Sequence, residues 1–206
     1  MENSNLNYLK NLNSNQKKAV LNLDGPCLIV AGAGSGKTKV LTTKVAHIVK
    51  KGKASPNQIL CVTFTNKAAK EMKDRVSKIL SYQDTGLPWF GTFHSICAKI
   101  LRKHASAVNL SSNFTIIDQD DQVKLIKNIC KAENIDIKKI SPQFILASIN
   151  QWKNKGLLPK NVVAKRGIPL EKAILNVYKF YQERLQILNS CDFGDLILLC
   201  VNMFEN

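Results

Sequence analysis

The stretch of sequence best suited to chemistry is a glycine-rich segment that ends in a lysine and a threonine. It spans residues 31–38 and contains Ala-Gly-Ala-Gly-Ser-Gly-Lys-Thr. Closely spaced glycines let successive backbone N–H groups point at one phosphate. Lys37 would reach the β- and γ-phosphates of a nucleoside triphosphate, and the Thr38 hydroxyl would ligate magnesium. The pattern predicts a phosphate-binding loop; the alternative, a turn that binds no nucleotide, leaves the Lys-Thr pair unexplained.

A phosphate-binding loop needs a strand before it and a helix after it, and the neighbouring residues supply both patterns. Residues 27–30 form a short apolar run with β-branched content, which is typical of a strand buried on both faces of a parallel sheet. From Lys39 onwards the apolar residues recur at helical spacing. We therefore predict strand, loop and helix in that order, and the N-terminus of the helix would add its positive dipole end to the phosphate site.

A second apolar run, at residues 59–64, predicts another buried strand, and Thr65 or Asn66 can cap the helix that follows. Alternating strands and helices are typical of an α/β fold, whose ligands bind at the carboxyl ends of parallel strands. The side chains at that end of this strand would suit single-stranded nucleic acid: Thr63, Phe64, Asn66 and Lys67. For Phe64, packing in the core is an alternative of equal weight.

Two further residues have a functional and an ordinary interpretation. His94 lies in the segment Gly-Thr-Phe-His-Ser at 91–95, where Thr92 is a candidate helix cap. His94 would contact a phosphate or a base, or it is a satisfied polar residue, which is the commoner case. Gln16, in a helix capped by Asn13 or Ser14, would contact the edge of adenine or lie on an exposed helix face, and spacing alone favours the exposed face.

The charge of the chain indicates a polyanionic partner. Its 206 residues include 30 Lys and Arg against 15 Asp and Glu, a formal net charge of +15. Such an excess favours nucleic acid or an anionic membrane surface. The six cysteines show neither C-x-x-C pairs nor metal-ligand spacing, so we expect small buried hydrophobic residues in a reducing compartment. The sequence has no leader pattern and no membrane-spanning apolar run, and we expect a cytoplasmic protein.

From about residue 111 the pattern becomes mostly helical. A short strand is predicted at 114–118, and helices at 118–133, from Ser141-Pro142, at 169–188 and at 192–204. A basic group in this half is interpreted equally well as solvated surface or as a contact with duplex DNA: Lys153, Lys155, Lys160, Lys165 and Arg166.

Taken together, five segments resemble, in order and spacing, the motifs of the UvrD/Rep/PcrA-type superfamily 1 DNA helicases; they lie at 12–20, 31–38, 62–72, 91–95 and 192–197. The resemblance covers the whole chain. It implies an α/β fold with a P-loop (RecA-like) parallel sheet and flanking helices, followed by a mostly α-helical insertion subdomain. The implied boundaries are 1–110 for the RecA-like lobe, 111–190 for the insertion and 191–206 for the start of the return to the lobe.

The resemblance also implies roles for individual residues, with ATP and Mg²⁺ as cofactors. Lys37 and Thr38 would be catalytic, and Thr38 would bind magnesium through the nucleotide. The nucleotide would contact Gln16, now favoured as the adenine contact, together with Ala31, Gly32, Ala33, Gly34, Ser35, Gly36, Lys37, Thr38 and Lys39. Single-stranded DNA, alone or at a junction with duplex, would contact Thr63, Phe64, Asn66, Lys67, Phe93 and His94.

The sequence departs from the family pattern in ways that bear on activity. Lys39 stands where many relatives carry arginine, Gly91 replaces a commoner serine and Gly194 an acidic residue. The family's Asp-Glu-x-x-Asp segment and second RecA-like lobe have no counterpart here. We therefore expect the ATP-binding N-terminal part of a 3′–5′ DNA helicase, which alone does not unwind DNA. A non-catalytic module that binds ATP or single-stranded DNA, or a gene remnant, is the alternative; a small P-loop kinase would need substrate motifs that the chain lacks.

Overall fold

The structure is a computed structural model that describes residues 7–81, 86–135, 140–163 and 169–205. It is a mixed α/β protein with two compact units, Met1–Ile96 and Cys97–Asn206. Each unit contains a two-stranded parallel sheet. The domain boundaries implied by the helicase resemblance stay a prediction. No helix in the described ranges is long and apolar enough to cross a membrane.

The first unit alternates helices with short strands. In chain order its elements are a 3₁₀ turn (Asn7–Leu9), α1 (Ser14–Leu21), α2 (Lys37–Lys50), a 3₁₀ turn (Pro56–Gln58), β1 (Cys61–Thr63), α3 (Asn66–Leu80), β2 (Phe90–Thr92) and the start of α4 (Phe93–Lys103). The predicted caps Asn13, Thr65 and Thr92 are confirmed, because each side chain accepts a hydrogen bond from a backbone N–H three residues later.

The sheet of the first unit sets the position of the second candidate site. β1 and β2 are parallel, with Cys61 opposite Phe90 and Thr63 opposite Thr92. Met72 and Val76 of α3 cover one face and join a buried cluster that also contains Val45, Cys61, Leu87 and Phe90. Because both strands end at the same edge, the segments that follow Thr63 and Thr92 lie side by side.

The predicted strand at residues 27–30 is wrong. This segment is not in a strand, and its side chains face solvent, with Leu28 89% and Val30 86% exposed. A strand that is apolar on both faces needs neighbouring strands for its backbone hydrogen bonds and packing layers for its side chains. Within the described residues, the sheet of this unit consists of β1 and β2, which pair with each other. The expectation that Cys27 is buried is wrong for the same reason.

The predicted strand at residues 59–64 is present but shorter. Only Cys61–Thr63 pair with β2, and Cys61 alone is fully buried. Leu60, before the paired residues, is 61% exposed, and Phe64, after them, is 89% exposed. The exposure of Phe64 excludes the alternative that its ring packs in the core.

The second unit has helices around a small sheet and two buried apolar clusters, the larger of which we call its core. After α4 come a 3₁₀ turn (Ala105–Val108), β3 (Thr115–Ile116), α5 (Gln119–Ala132), α6 (Pro142–Asn154), a 3₁₀ turn (Pro159–Asn161), α7 (Pro169–Ile187), β4 (Ser190–Cys191) and α8 (Phe193–Glu205). The core joins α5, α6 and α7 through Ile126, Ile145, Ile149, Val177, Tyr178 and Tyr181. The predicted helices of this half are confirmed, and Ser141 caps α6 with Pro142 in its first turn. The predicted strand at 114–118 is reduced to two paired residues.

Candidate nucleotide-binding and DNA-binding sites

The glycine-rich loop has the backbone that a phosphate site requires. Gly34 and Gly36 have φ angles of +73° and +84°, in the left-handed region that favours glycine. Gly36 caps α2 without a side-chain hydrogen bond, so the first backbone N–H groups of the helix have no side-chain partner there. They combine with the helix dipole to favour an anion. The loop is exposed to solvent from Gly32 to Ser35, which leaves it open to a ligand.

Lys37 folds back onto this loop. Its Nζ donates hydrogen bonds to the carbonyl oxygens of Ala31 and Gly32, both at 2.7 Å. The Gly32 carbonyl also accepts from the Ser35 hydroxyl at 2.6 Å. The cation is therefore already held at the loop, and a phosphate that binds there has to compete with two neutral carbonyls. The charged oxygens of a phosphate are stronger acceptors than these two carbonyls, because charge-assisted hydrogen bonds are roughly twice as strong as neutral ones.

Thr38 is an exposed residue in the first turn of α2, directly after Lys37. Among the described residues, no group of three or more His, Cys, Asp and Glu side chains could hold a metal ion. We therefore expect Thr38 to supply one ligand of a magnesium ion whose other ligands come from the nucleotide and from water. Mg²⁺ characteristically binds in this way, through one or two protein oxygens, substrate phosphates and water.

Gln16 lies against the loop, as expected for a nucleotide contact. Its Nε2 donates to the Ser35 carbonyl at 3.0 Å, and its Oε1 accepts from the Asn13 backbone N–H at 3.1 Å. A side chain at position 36 would start 3.0 Å from Gln16 Nε2, so the glycine there also makes room for this glutamine. Lys39, one turn into α2, donates to the backbone carbonyl of Asn11. The structure thus brings Gln16, the loop and Lys39 together.

The expected DNA contacts gather at the end of the β1–β2 sheet. Phe64 follows β1 and Phe93 follows β2, and their ring centroids lie 5.6 Å apart with an interplanar angle of 45°. Phe64 is 89% and Phe93 42% exposed. Two exposed rings in contact form an aromatic surface on which nucleic-acid bases can stack.

Polar residues lie within three positions of the two phenylalanines along the chain. Asn66 and Lys67 occupy the exposed first turn of α3, and Thr63 is half-buried at the end of β1. His94 follows Phe93, and burial lowers the pKa of its imidazole. The lowered pKa favours the neutral form of the imidazole, which carries no charge. Lys67 supplies positive charge at this edge.

Lys153 is not a DNA contact, since it is buried. Its side chain is 0% exposed, and its Nζ lies 2.6 Å from Asp192 Oδ2 and 2.7 Å from Asp195 Oδ1. The two carboxylates also cap α8: Asp192 Oδ1 accepts from the Asp195 N–H, and Asp195 Oδ2 accepts from the Asp192 N–H. Lys155 and Lys160 lie on the surface, whereas Lys165 and Arg166 are outside the described residues. We call Lys153, Asp192 and Asp195 the buried ion cluster.

Two hydrogen-bond donors complete the buried ion cluster. The Tyr181 hydroxyl donates to Asp192 Oδ2 at 2.9 Å, and Gln182 Nε2 donates to Asp195 Oδ1 at 3.1 Å. Burial raises the pKa of Asp195, and Lys153 opposes that shift. Burial, with the nearby carboxylates, raises the pKa of Tyr181, so its hydroxyl remains a donor. This cluster was not predicted from the sequence, although two features could have indicated burial and capping: Lys153 falls on the apolar stripe of α6, and Asp192 is a residue type favoured at a helix N-cap.

Comparison with known proteins agrees with the geometry of the loop. A family model described as the UvrD/REP helicase N-terminal domain matches residues 12–206. A probable DNA helicase II homolog of Rickettsia felis is 48% identical over 204 residues, covering 98% of this chain and 31% of the relative. The ATP-dependent DNA helicase PcrA of Staphylococcus epidermidis is 43% identical over 197 residues, covering 96% of this chain and 27% of the relative.

The chain thus spans about a third of the length of these curated relatives. The family model matches nearly the whole chain, including the phosphate-binding loop, the aromatic pair and the buried ion cluster. On this match and these identities, the chain belongs to the UvrD/REP helicase family, in the part that corresponds to the N-terminal domain.

Proposed function

We propose that this chain is the ATP-binding N-terminal part of an ATP-dependent 3′–5′ DNA helicase, which translocates on single-stranded DNA and unwinds duplex in the cytoplasm. In this proposal the first unit belongs to a RecA-like lobe with a P-loop sheet, and the helices of the second unit belong to an insertion subdomain. The observation that carries the proposal is the loop, where Lys37, the N-terminus of α2 and Gln16 converge. The direction of movement comes from the helicase resemblance.

ATP binding would rearrange Lys37. Its ammonium exchanges the carbonyls of Ala31 and Gly32 for β- and γ-phosphate oxygens, while the N–H groups of the loop and of the first turn of α2 hold the phosphates. Thr38 would hold the magnesium ion, which would neutralise phosphate charge. The residues of this chain thereby bind and orient the triphosphate.

Single-stranded DNA, alone or at a junction with duplex, would bind at the end of the β1–β2 sheet. Bases stack on Phe64 and Phe93, while Lys67 contacts phosphates and Asn66, Thr63 and His94 make hydrogen bonds. The net charge of +15 favours the approach of a polyanion.

We further propose that the chain alone does not unwind DNA. The helicase resemblance implies that ATP hydrolysis also needs a second lobe, whose arginines contact the γ-phosphate. Loss of such contacts lowers the rate of hydrolysis by a factor of roughly 10³–10⁵.

The test is a binding titration with the purified chain. A fluorescent ATP analogue and labelled single-stranded DNA are titrated over a salt series, with Lys37→Ala as the test variant and Lys44→Ala, on the same helix, as its control. We expect Lys37→Ala alone to abolish nucleotide binding, and DNA affinity to fall linearly on a log–log salt plot. The chain should separate no strands with ATP present.

The outcomes distinguish the candidates. Strand separation by the chain alone would refute the claim that it is inactive. Nucleotide binding that survives Lys37→Ala would refute the loop assignment. Binding of neither ligand by a folded chain would favour a gene remnant over a helicase part.

A further inference from the structure

The side-chain amide of Gln16 has a fixed orientation, because both of its ends are held by backbone groups. Its Oε1 faces the N–H of Asn13, and its Nε2 faces the carbonyl of Ser35. Rotating the amide by half a turn would set oxygen against oxygen at Ser35 and N–H against N–H at Asn13. One N–H and one lone pair of Gln16 are left after these two bonds.

That remaining pair matches adenine and mismatches guanine. A glutamine amide bonds adenine in a bidentate manner, donating to N7 and accepting from the N6 amino group. Guanine presents acceptors at both positions, N7 and O6. An amide whose oxygen cannot exchange places with its nitrogen would therefore discriminate between the two bases.

The orientation of Gln16 depends on where α1 lies relative to the loop. α1 packs on α2 through Val20 and Val40, and Lys39 adds a hydrogen bond at the N-terminal side of α1. Lys39 lies on α2, two residues after Lys37, and its Nζ donates to the backbone carbonyl of Asn11. Asn11 lies two residues before Asn13, which exchanges hydrogen bonds with Gln16 in the capping box. The Lys39 bond and the contact from Gln16 to Ser35 are thus two polar attachments of residues 11–16 to the phosphate loop and its helix, beside the apolar packing of Leu12.

We propose that Lys39 is a positioning residue for base selection, which acts through the Asn11 carbonyl to hold Gln16 in register with the phosphate loop. Its ammonium is engaged with the protein backbone, whereas Lys37 is the cation of the phosphate site. This inference rests on the proposed ATP site and adds a determinant of specificity to it.

The experiment compares three ligands: ATP, GTP and inorganic tripolyphosphate, each titrated by calorimetry. In Lys39→Met, which keeps the length of the side chain and loses its donors, ATP affinity should fall roughly three- to tenfold, as expected for one exposed hydrogen bond. Tripolyphosphate affinity should not change, because the phosphate contacts are intact. Since the loss concerns the base contact, the ratio of ATP affinity to GTP affinity should fall. Lys39→Arg should restore the preference, because a guanidinium also donates to a carbonyl. Lys44→Met, on the same helix, is the control and should behave as wild type.

An equal loss of ATP and tripolyphosphate affinity in Lys39→Met would make Lys39 a phosphate contact and overturn the proposal, as would an unchanged preference for ATP. If wild type binds none of the three ligands, the proposed ATP site fails. The positioning role is then decided by amide hydrogen exchange without nucleotide. We expect Lys39→Met, and not Lys44→Met, to accelerate exchange at the N–H of Gln16, which donates to Asn13 Oδ1. Unchanged exchange would overturn it.

Discussion

Replacing Lys153 by methionine should destabilise the second unit severely. The substitution keeps the length of the side chain and removes the one ammonium that lies 2.6 and 2.7 Å from the carboxylates of Asp192 and Asp195. All three side chains are 0–1% exposed, so water does not replace the lost partner. Two buried carboxylates would be left with only hydrogen bonds to neutral groups.

The magnitude follows from this burial. Removing one partner of a buried ion pair costs about 3–5 kcal/mol, because the remaining charge is uncompensated. Since domains are stable by only about 5–15 kcal/mol, this is a large fraction of the total. A loss of that size lowers the melting temperature by roughly 6–20 °C in a protein of this length.

The assay is urea unfolding followed by the fluorescence of Trp152. The chain has two tryptophans, and Trp89→Phe in the background leaves Trp152, which lies next to Lys153 in the core of the second unit. Lys124→Met is the control, because Lys124 pairs with Asp121 at 3.3 Å on the surface and is 72% exposed. Exposed pairs contribute little, so the control should unfold near the wild-type midpoint.

The loss should also depend on pH. Burial raises the pKa of Asp195 and Lys153 opposes that shift, so without the ammonium this pKa lies further above its ordinary value and the native variant binds more protons there. Its stability therefore increases as the pH falls through the raised pKa. The loss should be larger at pH 8 than at pH 5. Adding Asp192→Asn and Asp195→Asn should restore most of the stability, because asparagine still caps the helix and no charge is left unpaired. A pH-independent loss below about 1 kcal/mol would refute this account, since buried pairs lose more than that.

Two further predictions test other parts of the molecule. Phe64→Ala should weaken single-stranded DNA binding by roughly five- to a hundredfold, as expected for one lost base stack. The melting temperature should not change, because the ring is exposed. Phe144→Ala, which replaces an exposed phenylalanine of α6, is the control, and equal losses of DNA affinity in both variants would contradict the stacking site. In the native chain at pH 8, iodoacetamide should modify exposed Cys27 and spare Cys200, since burial raises the pKa of Cys200 to about 12; mass mapping that finds both modified at one rate would contradict this.

Local interactions made much of the structure predictable. The caps at Asn13, Thr65 and Thr92 are set by side chains that bond backbone groups three residues away. The glycines of the phosphate loop are similarly local, since their φ angles depend on the absence of a side chain. Amphipathic spacing likewise predicted α5, α6 and α7, because an apolar stripe at helical period has one face to bury.

Contacts between residues far apart in the sequence could not be predicted from the spacing of residue types. The apolar run at 27–30 has the composition of a buried strand, yet burial needs partner strands, and the described residues provide none beside it. A lysine such as Lys153 is usually a surface or DNA-binding side chain. Its burial is favourable only because the fold places it beside Asp192 and Asp195, which lie 39 and 42 positions later in the sequence.

The sequence by itself determined the glycine-rich loop, most of the helices and the caps, because those depend on residue types within a few positions of each other. The tertiary structure decided which groups meet. It set Gln16 and Lys39 around the loop, brought Phe64 against Phe93 through the parallel register of β1 and β2, and paired Lys153 with two carboxylates. These contacts depend on how separate elements pack, and the free energy of that packing is a property of the whole fold.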